Sequence, residues 1–504
     1  MKTVQIALGA FSLAALAPPA FAQVDPRITS WLTTYSGQYA RIYTSDAAKS
    51  SGAASNTWSR GAGVQSLPTY SGVSQIAYSA DWVYVRNTGL GSHVMGPWYL
   101  NAAHTQNFPN FPANTANLYR IPRAPTVPGT KTLTGLGAIG IFVDGVAMFD
   151  NRDAFSYVNA SATDATPMNM LVGDGIWNRD AYVNENVTFD PGNAHQAGKV
   201  YHYHANPPAL RYLLGDHVDY STGTKAYSES AAAVTKHSPI IGWVRDGYPI
   251  YGPYGYSVSN DASSGVRRMI SGYIKRDGSN GTTNLNTTGR TTLPAWAALA
   301  QGRSAILAAN QYGPTVSATY TLGHYLEDYD YLGDLGYTQG TNTFDLDQYN
   351  GRVCVTPEFP AGTYAYFVSM ESDGTPRFPY NTGRWFYGNP TGTNVASITE
   401  AVTTNFSGGT KMPLNASAPD VNVANANVTL TWSSIDGGTY VIEATSDLAS
   451  WSAIATNAPV TQTNLPAPKV TRSVVETNAA AAASRFYRVR LTATNAYDSG
   501  GFAP

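Results

Sequence analysis

"IGIFVDGVAMFD" (residues 139–150) and "IGWVRDGYPIYG" (residues 241–252) are two versions of one pattern. In each, an Asp-Gly pair, Asp144-Gly145 or Asp246-Gly247, stands between alternating apolar residues. A period of two marks half-buried strands. Asp-Gly between such runs marks a hairpin whose two-residue turn is of the primed type, with positive φ at both central residues. The chain is therefore expected to be mainly β, and Asp144 and Asp246 are read first as turn residues.

Working outward, the order of features repeats as well. "FDPGNAH" (189–195) is echoed by "LDQYNGR" (346–352), and "GKVYHYH" (198–204) by "GTYAYF" (362–367). Hairpin, D-x-x-N turn and Tyr-x-Tyr strand follow one another in both halves. The expectation is an internal duplication, about residues 130–205 and 235–370, with extra material around 257–340 in the second copy.

The two copies differ where chemistry is concentrated. "KVYHYHANPP" (199–208) holds two of the eight histidines of the chain. Aligned on the repeat, His195 faces Arg352, His202 faces Ala365, His204 faces Phe367, and His237 faces Gly135. The imidazoles are thus dispensable to the repeated fold, and something other than folding keeps them. On an extended strand His202 and His204 share one face, with Cα atoms about 7 Å apart, while Tyr201 and Tyr203 point into the opposite side. Two imidazoles on one face can chelate an ion, and further donors are sought in one or two of His195, His237 and His93, the last with Met95 beside it in "GLGSHVMGPW" (89–98). Imidazole suits copper or zinc, and a thioether would favour cuprous copper. His104, His217 and His324 lack a supporting pattern and read as surface or loop residues.

"GNAHQAGKVYHYHANPP" (192–208) with "HSPIIGWVRDGYPIYGPYG" (237–255) resembles the YHYH domain family, mostly extracellular bacterial proteins. The resemblance runs from about Tyr78 to "FPYNTGRWFYG" (378–388), and the family pattern matches His195, Tyr201, His202, Tyr203, His204, His237, Asp246, Gly247 and Tyr251. It implies a domain without implying a substrate. Relatives often carry cysteines beside the central motif, and this chain has none there, which removes a family-type disulfide and leaves the imidazoles untouched.

Composition bounds the rest. Lys2, the apolar run Ile6–Ala17 and Ala20-Phe21-Ala22 read as an export signal over residues 1–22, so a secreted or periplasmic location is expected. No later run is long and apolar enough to span a membrane. A formal charge of −2 over 504 residues supplies no field for nucleic acid. Cys354 is the one cysteine, read as a buried thiol, so no intramolecular disulfide forms. After the domain at 23–390, residues 391–425 read as a Thr/Asn/Pro-rich linker. Residues 426–504, with short alternating strands and no histidine, read as a small β-sandwich that anchors the chain or meets a polysaccharide or cell-surface partner.

Four functions follow as expectations: an exported copper- or zinc-binding β-domain; an extracellular polysaccharide lyase or hydrolase using His and Tyr for proton transfer; a copper redox protein; and a purely structural surface protein, which the β-sandwich tail would suit. "HYLEDYD" (324–330) supplies Glu327, Asp328 and Asp330, read as a solvated loop or calcium site rather than a catalytic pair. Serine-nucleophile, phosphate-loop, H-E-x-x-H and C-x-x-C motifs are absent from the sequence.

Overall fold

The computed structural model describes residues 25–33, 39–340 and 343–408, and within the C-terminal part residues 420–424, 426–434, 439–457, 470–479 and 484–493. The export signal lies outside the described residues. The described chain is mainly β, as the alternation predicts, and is divided into many small sheets around one large one.

That large sheet has eight strands: β1 (Ala138–Phe142), β2 (Ala147–Phe149), β3 (Ala194–Ala197), β4 (Val200–Tyr203), β5 (Ile240–Val244), β6 (Pro249–Tyr251), β7 (Gly351–Cys354) and β8 (Thr363–Phe367). Their order across the sheet is β3-β4-β2-β1-β5-β6-β8-β7. β1 and β5 pair antiparallel at the centre, each hairpin pairs antiparallel within itself, and β4 on β2 and β8 on β6 run parallel. The two halves therefore enter the sheet in the same order and sense. The likeness is topological, and common origin of the halves is a separate proposition.

Registers match too, with His195 opposite His202 in the first half and Arg352 opposite Ala365 in the second. The turns before these strands are built alike. Asp190 and Asp347 each accept the N–H of the second residue on, at 2.8 and 2.9 Å, and Asn193 and Asn350 close the turns at φ +63° and +68°. Each Asp also takes a tyrosine hydroxyl from the neighbouring strand, Tyr201 onto Asp190 at 2.7 Å and Tyr364 onto Asp347 at 2.9 Å. The Tyr-x-Tyr pattern recurs because buried phenols need partners and buried turn carboxylates need donors.

The hairpin turns correct the expected geometry. Phe142 N–H bonds Val146 O and Gly145 N–H bonds Phe142 O, and Val244, Tyr248 and Gly247 repeat this in the second half. Each is a three-residue loop with positive φ only at the glycine, +89° at Gly145 and +85° at Gly247. The Asp side chain decides the matter: Asp144 Oδ1 accepts Val146 N–H and Asp246 Oδ1 accepts Tyr248 N–H, each at 3.2 Å, which favours a type I turn followed by glycine. Asp246 does more than serve its turn, since its other oxygen takes the Tyr366 hydroxyl at 2.6 Å.

Around this sheet stand two further bodies. A five-stranded antiparallel sheet joins Val73–Tyr78, Trp82–Asn87 and Asn117–Pro122 to edge strands Thr393–Asn394 and Thr403–Ser407, so part of the stretch read as a linker is paired into the sheet. Residues 257–340 join 157–177 in a second apolar core around Trp177, Tyr273, Trp296 and Leu326. There Glu327, Asp328 and Asp330 are buried, contrary to the solvated loop expected. Asp328 meets Arg290 at 2.7 Å, Asp330 meets Arg276 at 3.5 Å, and Glu327 accepts from Asn178. Paired cations and amides offset part of the cost of the burial that the acid-rich sequence argued against.

The C-terminal strands form two three-stranded antiparallel sheets with Val428, Leu430, Trp432, Tyr440 and Ile442 between them. Tyr39 and Tyr70 belong to the same apolar cluster. No helix among the described residues is long and apolar enough to cross a membrane.

Candidate metal centre

β3 and β4 bring His195, His202 and His204 to one face of the sheet, where one ligand nitrogen of each lies within 4.8 Å of the others. All three are buried. His202 and His204 are two apart on an extended backbone, and His195 reaches the same place because it stands opposite His202 across the antiparallel pair.

The outer nitrogens settle the protonation. His202 Nδ1 lies 2.9 Å from Val200 O, and His204 Nδ1 lies 2.7 Å from Asp150 O. Carbonyl oxygens only accept, so both Nδ1 atoms carry the proton. His195 Nδ1 lies 2.7 Å from Thr188 Oγ1, whose own proton goes to Glu185 O at 2.7 Å, so this Nδ1 donates as well. In neutral rings all three Nε2 atoms are then bare lone pairs. Two of them, on His202 and His204, stand 3.1 Å apart with no proton to share.

Such an arrangement calls for a cation. A proton is disfavoured: burial, followed by the neighbouring imidazoles, holds His195 and His202 well below the usual histidine range, and burial brings His204 down to about 4. A metal ion could satisfy the lone pairs together, and the Nδ1 partners are of the kind that orient imidazole ligands from outside. One acid joins the rings. Glu185 Oε2 is 3.3 Å from His204 Nε2 and 3.6 Å from His195 Nε2. It has no hydrogen-bond partner among the described residues. Burial, then Asp153, raises the Glu185 carboxyl well above its usual range.

A family model described as "YHYH protein" matches residues 118–379, more than half of the chain. The chain belongs to the YHYH family. No curated protein and no solved structure matches it. In this YHYH chain the matched segment contains both halves of the central sheet and all three histidines of the cluster.

Two expected ligands do not join that cluster. His93 lies on the tyrosine side of the sheet, its Nε2 3.1 Å from the Tyr201 hydroxyl and 3.9 Å from Asp190. Met95 beside it is buried and accepts Gly91 N–H, so its thioether is not brought to the imidazoles. His237 lies in a different cleft, against Tyr251, Tyr256 and Phe367, and its Nδ1 meets Ser238 O at 2.7 Å. Asp246 and Tyr251 also belong to the second half, where the Tyr251 hydroxyl donates to Glu358 and meets the Thr356 hydroxyl. His104 is exposed and pairs with Asp46, His324 pairs with Asp164, and His217 lines the cleft of His237.

Over the three Nε2 atoms of the YHYH site opens a cavity of about 670 Å³. Its walls include Leu100, Phe108, Leu136, Phe149, Pro167 and Met168. Phe149 stacks on His202 with ring centres 3.8 Å apart. Glu185, the residue that sequence reasoning missed, ends the short helix Ala181–Glu185, which is capped by Asp180. No alternation or motif marks it, and only its place ten or so residues ahead of the first histidine could have drawn notice.

Proposed function

We propose that the chain is an exported metal-binding protein that holds one copper or zinc ion on His195, His202 and His204. Glu185 stands as a fourth oxygen donor or as the partner of whatever group the ion binds. The observation that carries this reading is the convergence of three Nε2 lone pairs whose rings have already committed their protons outward. Three imidazoles and one carboxylate suit zinc and cupric copper alike, and Met95, placed elsewhere, does not draw the choice toward cuprous copper.

Three protein donors beneath an open cavity leave a coordination position for a small molecule, the arrangement that metal-assisted chemistry needs. The polysaccharide reading gains no support from this cavity. The exposed area of its walls is mostly hydrocarbon, which favours an apolar molecule over a sugar.

The test is metal content. Purified protein incubated with zinc or cupric ion and then desalted is expected to retain one equivalent by mass spectrometry, and a His202→Ala/His204→Ala variant none. Equal retention by the two proteins would refute the reading.

A further inference from the structure

We infer that the cavity over the three histidines receives a neutral hydroxyl compound with an apolar body. The inference rests on the metal reading above and adds the class of molecule that meets the ion.

Size comes first. A cavity of about 670 Å³ lies within the range of small-molecule sites, which run from about 300 to 1,000 Å³. Its walls then exclude some chemistry. Leu136 and Met168 line it while remaining 58 % and 89 % exposed, an apolar rim that water solvates poorly and an apolar ligand would cover.

Charge excludes more. Among the described residues lining the cavity the cation is Arg152, and its Nε is held 3.1 Å from Asp150. Asp153 and Glu185 line the same cavity, and Asp153 is matched by Arg179 at 2.8 Å. Apart from the ion itself, no cation is left to receive a carboxylate or phosphate, and Glu185 stands beside the ion where that charge would go, so a neutral ligand meets less opposition there.

The hydrogen-bond account selects the functional group. At the floor, three nitrogen lone pairs face the place of the ion, and the Glu185 Oε2 atom beside them lacks a donor. A hydroxyl supplies both needs, since its oxygen can go to the ion and its proton to Glu185. A ketone or ether leaves Glu185 without a donor. A carboxylate, like the ketone, brings no proton to Glu185. A sugar sets several hydroxyls against the apolar rim of Leu136 and Met168.

The experiment uses zinc-loaded full-length protein and fluorine NMR, with 4-fluorophenol and 4-fluorobenzoate as probes. The phenol resonance is expected to shift and broaden on binding while the benzoate resonance does not. In Leu136→Glu and Met168→Glu, both at exposed rim positions, phenol affinity is expected to fall at least tenfold with zinc still bound at one equivalent. Zinc bound at one equivalent without any phenol binding, or with benzoate held as tightly, overturns this inference alone. Failure to retain zinc sinks the metal reading itself.

Discussion

His202 and Tyr201 are neighbours in sequence and strangers in environment. The imidazole faces an open cavity, and the phenol is sealed against Asp190 and His93. Changes at the two sides should therefore separate. Thr188→Val removes the acceptor that orients His195 and is expected to lower zinc affinity about 10- to 100-fold, with Thr188→Ser restoring it, as read by competition with a chromophoric chelator. Tyr201→Phe deprives buried Asp190 of a donor and is expected to cost about 1–3 kcal/mol in urea unfolding while zinc stoichiometry holds. This division was legible in the sequence, because alternation along one strand assigns faces without knowledge of anything else. What comes over a face was not legible. Glu185 arrives from a short helix, while His93 and His237 are carried to other places by loops whose course no periodicity records.

At the scale of elements, the Asp-Gly hairpins were readable as hairpins but not as three-residue loops, because the choice depends on the aspartate accepting a backbone N–H two residues on. The acid-rich stretch before Tyr331 misled for a related reason. Its acids look solvated until the partners Arg276, Arg290 and Asn178 are brought in from distant segments. Glu327 makes this measurable. Burial pushes its carboxyl up to about 7 against the opposing bonds from Asn178. The folded state then holds this proton more tightly than the unfolded chain does, so the stability it contributes is present below about pH 4.5 and is lost as pH rises through about 7. Relative to Glu327→Gln, the wild type is expected to lose up to about 3 kcal/mol between those pH values, read from urea midpoints at pH 4.5 and 7.5.

Over the whole molecule, the sequence suggested a body, a connector and an independent tail. Two strands of the connector pair with the five-stranded sheet, and Tyr39 and Tyr70 share an apolar cluster with the tail. A chain ending at Gly408 keeps both edge strands and is expected to retain one equivalent of zinc, with a greater tendency to self-associate through the uncovered tyrosines. A chain ending at Pro390 loses both strands, and its melting midpoint by circular dichroism is expected to fall by roughly 5 °C or more relative to the Gly408 form. Composition and alternation foretold a mainly β molecule, but they carry no record of which edge a weakly patterned segment will complete.

The separation of rings across a single strand also governs how such a chain can alter over generations. Exchanging one side chain on either side leaves the other side in place. Gaining or losing one residue between Gly198 and Tyr201 would turn the strand over, delivering phenols to the cavity and imidazoles to the aspartates behind it. Inheritance can revise this stretch letter by letter, while its length is held shut.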